Sequence, residues 1–328
     1  MNENETTQQD LVPKIRVVFM GTPVFAEIIL NALIEKQYNV VAVYTRPDKA
    51  VGRAQTIQES PTKKLALQHG IAFEQPDTFN DEVLEKLQTY EPDVIIVAAY
   101  GKILPKTVLS IPGFGCVNVH PSLLPKFRGP SPIQNALLSS EQSTGVTIML
   151  MDEGMDSGDI LAQEIIPIDP DESFPALLEK LAKASVTLLL KTLPLWIERK
   201  ITPRKQDTSQ VTLCQLIERE DGHVLWTNEA LSIYATFRAL TPWPGLYSLW
   251  KRDNDQLLRL KLTRITYQKH SPQMAHHLGE VFELGEKIGV QASQGVIFLE
   301  EVQLEGKTIV SIQEFIKGYP QFIGSVLQ

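Results

Sequence analysis

The sequence predicts an α/β protein, a mostly parallel sheet covered by helices, followed by a smaller, mainly β domain of barrel type. Three observations carry this. Over residues 1–110, short runs that are apolar on both faces alternate with amphipathic stretches, the pattern of strands buried between helical layers. A polar, breaker-containing stretch, "KITPRKQDTSQ" (200–210), then interrupts the pattern. Beyond it the chain breaks into short strands separated by turn residues. A chain of 328 residues also exceeds what one core usually organises, so two domains are expected.

The elements follow in order. "IRVVFM" (15–20) is a buried strand closed by the turn Gly21-Thr22-Pro23. The next stretch sets Phe25, Ile28, Ile29, Ala32 and Leu33 at helical spacing. A strand at 39–45, a helix at 61–70 ended by Gly70, a strand at 71–75 and a helix near 81–90 lead to the apolar strand 92–101. Strands at 116–120, 144–151 and 159–168, a helix around 131–138 and a long helix at 173–199 complete the unit. Pro194 should bend or interrupt the end of that last helix. The second domain reads as a helix at 228–240, strands at 246–251, 257–267, 279–285 and 294–304, and a short helix at 311–317. The expected organisation is a frayed tail at 1–13, a catalytic domain at 14–200, a linker at 201–215 and a barrel-like domain at 216–328.

Composition narrows the class. No apolar run approaches the ~20 residues of a membrane helix, and the polar N-terminus lacks the basic and apolar regions of a signal peptide. Cys116 and Cys214 lie in unrelated contexts, which argues against a disulfide scaffold and fits a reducing, cytoplasmic setting. His69, His223, His270, His276 and His277 fall in separate segments with no H-E-x-x-H or C-x-x-C, so no metal is expected. The net charge is −8, yet residues 251–269 carry Lys251, Arg252, Arg259, Lys261, Arg264 and Lys269 against Asp253 and Asp255. Such a run can steer an anionic partner, or it can simply be a solvated strand face.

The first strand–turn–helix, "MGTPVFA", stands where a dinucleotide fold places its glycine fingerprint, and the sheet is Rossmann-like in that sense. Only Gly21 is present, however. Without the second and third glycines a pyrophosphate cannot approach the backbone, which disfavours hydride transfer to NAD.

Asn118 and His120 sit two residues apart on one strand, so they share a face at its carboxyl end, where open α/β sheets bind ligands. Imidazole moves protons near neutral pH, and a carboxamide donates to a carbonyl oxygen without ionising. Together they can stabilise an oxyanion and move one proton. A satisfied structural network is the competing reading of such a pair. The proline-bracketed loop "PSLLPKFRG" that follows, and the downstream "MDEGMDSGDIL" with Asp152, Glu153, Asp156 and Asp159, favour a site. The pattern does not say which carboxylate would orient the imidazole.

With these residues in view the chain closely resembles the methionyl-tRNA formyltransferase family, from "IRVVFMGTPVFA" through "VVAAYGKILP", "NVHPSLLPKFRG", "PIQNAL" and "TGVTIMLMDEGMDSGDIL" to "ALTPWPG". The resemblance implies that Asn118, His120 and Asp156 form the catalytic trio. It implies 10-formyltetrahydrofolate as donor, with Ser122, Leu123, Leu124 and Pro125 matching the folate loop. The segment 98–104, with Tyr100, Gly101, Ile103 and Leu104, resembles the wall of the pterin slot, and an apolar slot with a few polar backbone contacts suits a flat heteroaromatic.

The implied acceptor is methionyl initiator tRNA, formylated on its α-amino group for translation initiation. Asn118 and His120 would hold the tetrahedral oxyanion, while Asp156 orients His120 and assists removal of the amine proton. Arg46, Lys49 and Arg53 in the long loop 45–61 would reach the acceptor stem; Lys251, Arg252, Arg259, Lys261 and Arg264 would bind tRNA phosphates. The enzyme would act as a monomer, without metal or membrane. The sequence departs from the family pattern at Pro121, at Pro130-Ser131 and at "VLW" after the linker, none of them in the trio.

Two other formyltransferases compete. One acting on glycinamide ribonucleotide is about one domain long, which this chain exceeds. One acting on an amino-sugar nucleotide can carry a second domain, but the basic loop and strand favour tRNA. An RNA-binding module on an inactive scaffold conflicts with the intact trio.

Overall fold

The computed structural model describes residues 14–51, 56–252, 256–269 and 276–328. The expected tail at 1–13, the loop residues Gly52 and Arg53, and Asp253, Asp255 and His270 lie outside them. The chain divides into two compact units. Among the described residues, one comprises those up to Pro132 with Ser143–Ile168 and Leu177–Gln215; the other comprises Ile133–Gln142, Asp169–Ala176 and those of Leu216–Gln328. The expected boundaries were simpler, because sequence does not reveal that residues 201–215 cluster with the first unit.

The first unit is built on seven strands: β1 (Arg16–Gly21), β2 (Asn39–Tyr44), β5 (Ala72–Glu74), β6 (Val94–Ala98), β7 (Cys116–His120), β8 (Ser143–Leu150) and β9 (Ile160–Pro167). Their order across the sheet is β5-β2-β1-β6-β7-β8-β9. The first four pairings are parallel and the last two antiparallel. All five residues of β6, and all five of β7, are buried, as two covered faces require. The helices between them start where local chemistry allows. Ser60 accepts from the Lys63 N–H at 3.2 Å ahead of α2 (Pro61–Gln68), which also has proline at its first position. Asn80 accepts from the Val83 N–H at 3.0 Å ahead of α3 (Asp81–Thr89). The first helix, α1, is Val24–Glu35.

Two expectations for this unit change. Pro194 does not interrupt the long helix, which runs Phe174–Ile197; so near the end, one missing backbone donor is tolerated. Residues 45–61 are not all irregular, since Lys49–Val51 (β3) pairs antiparallel with Thr56–Gln58 (β4). A one-turn helix, Lys106–Leu109, follows the β6 loop. The two hairpin strands and the one-turn helix are too short to leave a period in the sequence.

The second unit is an antiparallel sheet in the order β10-β11-β14-β13-β12, with β15 beside β14. The strands are β10 (Leu246–Lys251), β11 (Leu257–Gln268), β12 (Val281–Leu284), β13 (Lys287–Gln291), β14 (Val296–Leu304) and β15 (Ile309–Ser311); β13 and β15 were not expected. Its two open edges are sealed by the C-terminus. Leu249 and Gln328 exchange backbone hydrogen bonds at 2.7 and 2.8 Å on the β10 side, while Val281 donates to the Ser325 carbonyl at 2.9 Å on the β12 side. A sheet bonded through one terminal segment on both edges is the barrel-type closure the sequence suggested. Trp250 is fully enclosed, with Phe315 and Phe322 edge-on at 5.7 and 5.3 Å between ring centres.

Candidate active site

β7 delivers Asn118 and His120 to one face at its carboxyl end, and both are buried. The loop between β8 and β9 brings Asp156 to meet them. Asp156 Oδ1 lies 3.6 Å from His120 Nδ1 and accepts from Asn118 Nδ2 at 3.3 Å. Its Oδ2 accepts from the Gly129 backbone N–H at 2.8 Å. One carboxylate therefore joins the strand, the post-histidine loop and its own loop.

The three other carboxylates of that loop do different work. Asp152 accepts from the Gly154 N–H at 3.0 Å and from the Ser157 hydroxyl at 2.7 Å, closing the turn. Glu153 pairs with Lys106 on the surface at 3.1 Å. Asp159 contributes a backbone carbonyl to the Leu150 N–H. Asp156 is the one that faces the imidazole.

His120 Nε2 lies 3.0 Å from the Phe127 carbonyl oxygen. A carbonyl only accepts, so Nε2 carries hydrogen in either charge state of the ring. The other ring nitrogen, Nδ1, is the one that faces Asp156. Phe127 and Asp156 both hold positive φ, at 58° and 50°, a region non-glycine residues seldom occupy. Surrounding bonds impose both conformations.

Those bonds come largely from residues 201–215, expected to be a linker. Thr212 Oγ1 accepts from the Phe127 N–H at 2.8 Å, and the Thr212 carbonyl accepts from the Arg128 N–H at 2.9 Å. The Cys214 N–H donates to the Arg128 carbonyl at 2.8 Å. Gln206 hydrogen-bonds to Arg128, Asp156 and Gly158. The segment is a strap over the post-histidine loop. Sequence reasoning missed it, because its partners in the post-histidine loop are distant in the chain.

Around this centre the expected folate loop turns inward. Ser122 is fully buried and donates to the Lys126 carbonyl at 2.6 Å, so its hydroxyl staples the loop. Leu124 is buried against Met149 and Ile160, and its N–H donates to Thr147 Oγ1 at 3.1 Å. The peptide joining Leu124 to Pro125 is cis. On the facing segment, Gly101 has φ 74° and Leu104 is buried, whereas Ile103 is 84% exposed. Tyr100 is buried with no hydrogen-bond partner for its hydroxyl among the described residues. Burial pushes that hydroxyl up to about 12, against the opposing charge of Arg46. An exposed apolar side chain, an unpartnered buried hydroxyl and backbone groups suit a flat heteroaromatic with a polar edge. Among the described residues no group of His, Cys, Asp and Glu could hold a metal ion.

The expected tRNA contacts separate. Arg46 is exposed beside Gly101; its N–H donates to Thr22 Oγ1 at 3.2 Å and its carbonyl accepts from Gln75 at 2.9 Å. Lys49 is exposed on β3. On the second unit, Arg259 lies 3.8 Å above the Tyr247 ring, and Arg252 stands near Trp250 and Tyr319. Lys251 is exposed and Lys261 half-buried on neighbouring strands. Arg264 differs, since Glu300 and Glu301 pair with it at 2.8 and 3.6 Å and cancel its charge locally.

Both thiols are enclosed. Burial pushes Cys116 up to about 12 and raises Cys214, whose Sγ lies 3.3 Å from the Arg128 carbonyl. Native protein at pH 8 is expected to leave both unmodified by a thiol reagent, with the two titrating together on unfolding. A fast-reacting thiol in the native state would contradict the strap packing at Cys214.

Comparison with known proteins identifies the family. The family profile described as formyl transferase matches residues 14–193, and the profile of the formyl transferase C-terminal domain matches 216–320. Among curated relatives, the methionyl-tRNA formyltransferase of Caldicellulosiruptor saccharolyticus is 42% identical over 95% of this chain and 99% of its own. That of Caldanaerobacter subterraneus subsp. tengcongensis is 39% identical over 96% of this chain and its full length. Among solved structures, an N-formyltransferase from Helicobacter canadensis, in complex with folinic acid and dTDP-3-aminofucose, superposes with TM-score 0.62 at 19% identity, covering 87% of this chain and 98% of its own. HypX from Aquifex aeolicus in complex with tetrahydrofolic acid gives 0.63 at 17% identity; this chain spans 94% of itself but only 48% of HypX. At those identities the two structures speak to the fold alone.

Proposed function

Since the chain belongs to the formyl transferase family, among the methionyl-tRNA formyltransferases, we propose that its site transfers formyl from 10-formyltetrahydrofolate to methionyl initiator tRNA. Formylation of methionyl-tRNA is the activity of its full-length relatives. The observation that carries the residue-level reading is the convergence of Asn118, His120 and Asp156 at the carboxyl end of β7.

Bound between the segments 98–104 and 122–125, the folate donor would supply the electrophilic formyl carbon. Asn118 would place an N–H on the carbonyl oxygen as it gains charge; only one of its two N–H groups is directed at Asp156. His120, with Nε2–H committed to Phe127, would exchange its proton at Nδ1. Asp156 would hold the ring and stabilise the proton on that nitrogen. The buried positions of Asn118 and His120 keep competing water away from these groups.

No helix among the described residues is long and apolar enough to cross a membrane. A cytoplasmic, monomeric enzyme is the reading we adopt. The exposed Arg46 and Lys49, with Arg252 and Arg259, would meet tRNA phosphates. Arg259→Ala is expected to weaken tRNA binding and reduce its salt slope by about one. Arg264→Ala should do less, its charge being engaged by two glutamates. Filter binding across a salt series distinguishes them; equal losses would contradict the reading of Arg264.

The function itself is tested by offering 10-formyltetrahydrofolate with methionyl initiator tRNA, methionyl elongator tRNA or an amino-sugar nucleotide. Transfer to the initiator is expected. Transfer to the sugar nucleotide alone would overturn the proposal.

A further inference from the structure

Gln206 lies in the strap, is almost fully buried, and uses every hydrogen-bonding group of its side chain. Its Nε2 donates to the Asp156 carbonyl and to the Gly158 carbonyl, both at 2.8 Å. Its Oε1 accepts from Arg128 Nε at 3.1 Å and from an Arg128 terminal nitrogen at 2.8 Å. Carbonyls only accept and guanidinium only donates, so the partners fix which end of the amide points where. No other residue type of this length can satisfy both sets.

The two sides of this clamp are the two loops that make the site. Arg128 follows Phe127, whose carbonyl holds His120, and precedes Gly129, whose N–H holds the Asp156 carboxylate. Asp156 and Gly158 belong to the loop that presents the carboxylate. Asp156 has φ 50°, a conformation that costs free energy unless its surroundings impose it. Its carboxylate is tied to Gly129 and its carbonyl to Gln206, so the Cα side of that torsion is held at two points.

We propose that Gln206 is a positioning residue for the formyl transfer reaction, holding Asp156 at the distance from His120 and Asn118 that the proton movement needs. The inference rests on the reading of Asp156 given above. It assigns a catalytic consequence to a segment with the composition of a linker. Misplacing a reacting group by about 1 Å can cost on the order of 100-fold in rate, and loss of Gln206 frees both loops.

The experiment uses the full-length enzyme with methionyl initiator tRNA, and the variants Gln206→Met, Gln206→Glu, Asp156→Asn and the two double variants. Gln206→Met keeps length and removes all four bonds. Gln206→Glu keeps acceptance from Arg128 but turns a carboxylate oxygen toward two carbonyls. Both are expected to lower kcat about 10–100-fold while KM for donor and tRNA stays within about twofold. On the Asp156→Asn background each should add less than about twofold, because the group it positions is already gone.

An unchanged kcat in both Gln206 variants would overturn the proposal, as would a loss that appears in KM alone. So would the same factor with and without Asp156, which would make Gln206 independent of it. Failure of both single variants to fold would assign Gln206 to the fold and equally overturn it. Near-normal turnover of Asp156→Asn would instead overturn the reading of the catalytic trio, so the two failures are distinguishable.

Discussion

Asp156→Asn is expected to lower the turnover number by about 10²–10⁴-fold, the range a positioned proton-transfer group contributes, with the fold intact. The substitution changes almost no volume. One amide oxygen can still accept from the Gly129 N–H, the 2.8 Å bond that ties the two loops. The remaining position then holds an NH₂ group where an oxygen now faces His120 Nδ1 at 3.6 Å and the Asn118 NH₂ at 3.3 Å. Two amide donors would confront each other, and the new NH₂ would donate to Nδ1. Since His120 Nε2 already gives its hydrogen to Phe127, a donor on Nδ1 pins the ring in its neutral form and blocks proton uptake there. Steady-state formylation kinetics with a thermal melt beside them check this. A variant with near-normal transfer rate and normal melting would remove Asp156 from the mechanism.

The same residues show how much of this was legible beforehand. Asn118 and His120 could be read because a strand has a period of two, so their shared face and their place at a strand end follow from the sequence. Asp156 could not be separated from Asp152, Glu153 and Asp159 by pattern. A glycine-rich turn gives no periodicity, and only the family resemblance singled it out. The strap was illegible for another reason. Gln206 and Thr212 act on residues 78 and 85 positions away, and nothing local distinguishes a polar segment that is bonded to a loop from one that is free. Ser122 shows the converse. A serine in a recognised loop motif suggests a ligand contact, yet its hydroxyl is spent on the Lys126 carbonyl. Motif position singles out a loop but not the direction each side chain takes within it. Charge counting had the same limit: Arg259 and Arg264 are equivalent in sequence, and β14 supplies glutamates to only one of them.

Gly129→Ala is expected to damage stability and catalysis together, and the contrast with another glycine isolates the cause. Gly129 has φ 120°, where an L side chain is strained. An added Cβ would also stand 2.4 Å from the Cys214 carbonyl oxygen and 3.2 Å from its Sγ. That carbonyl cannot simply retreat, because the Cys214 N–H is bonded to the Arg128 carbonyl at 2.8 Å on the adjacent residue. Either the strap lifts or Gly129 shifts, and a shift takes its N–H away from Asp156 Oδ2. Gly70 has φ 64° with nothing within 4 Å of an added Cβ, so Gly70→Ala carries only the backbone term, about 1 kcal/mol. Gly129→Ala should cost about 3 kcal/mol, the upper part of the usual single-substitution range. It should also lose turnover that Gly70→Ala keeps. Chemical denaturation and formylation rates on the two variants measure both effects. If Gly129→Ala unfolds no more easily than Gly70→Ala and retains its rate, the strap does not press on the post-histidine loop, and the geometry assigned to Asp156 loses one of its two supports.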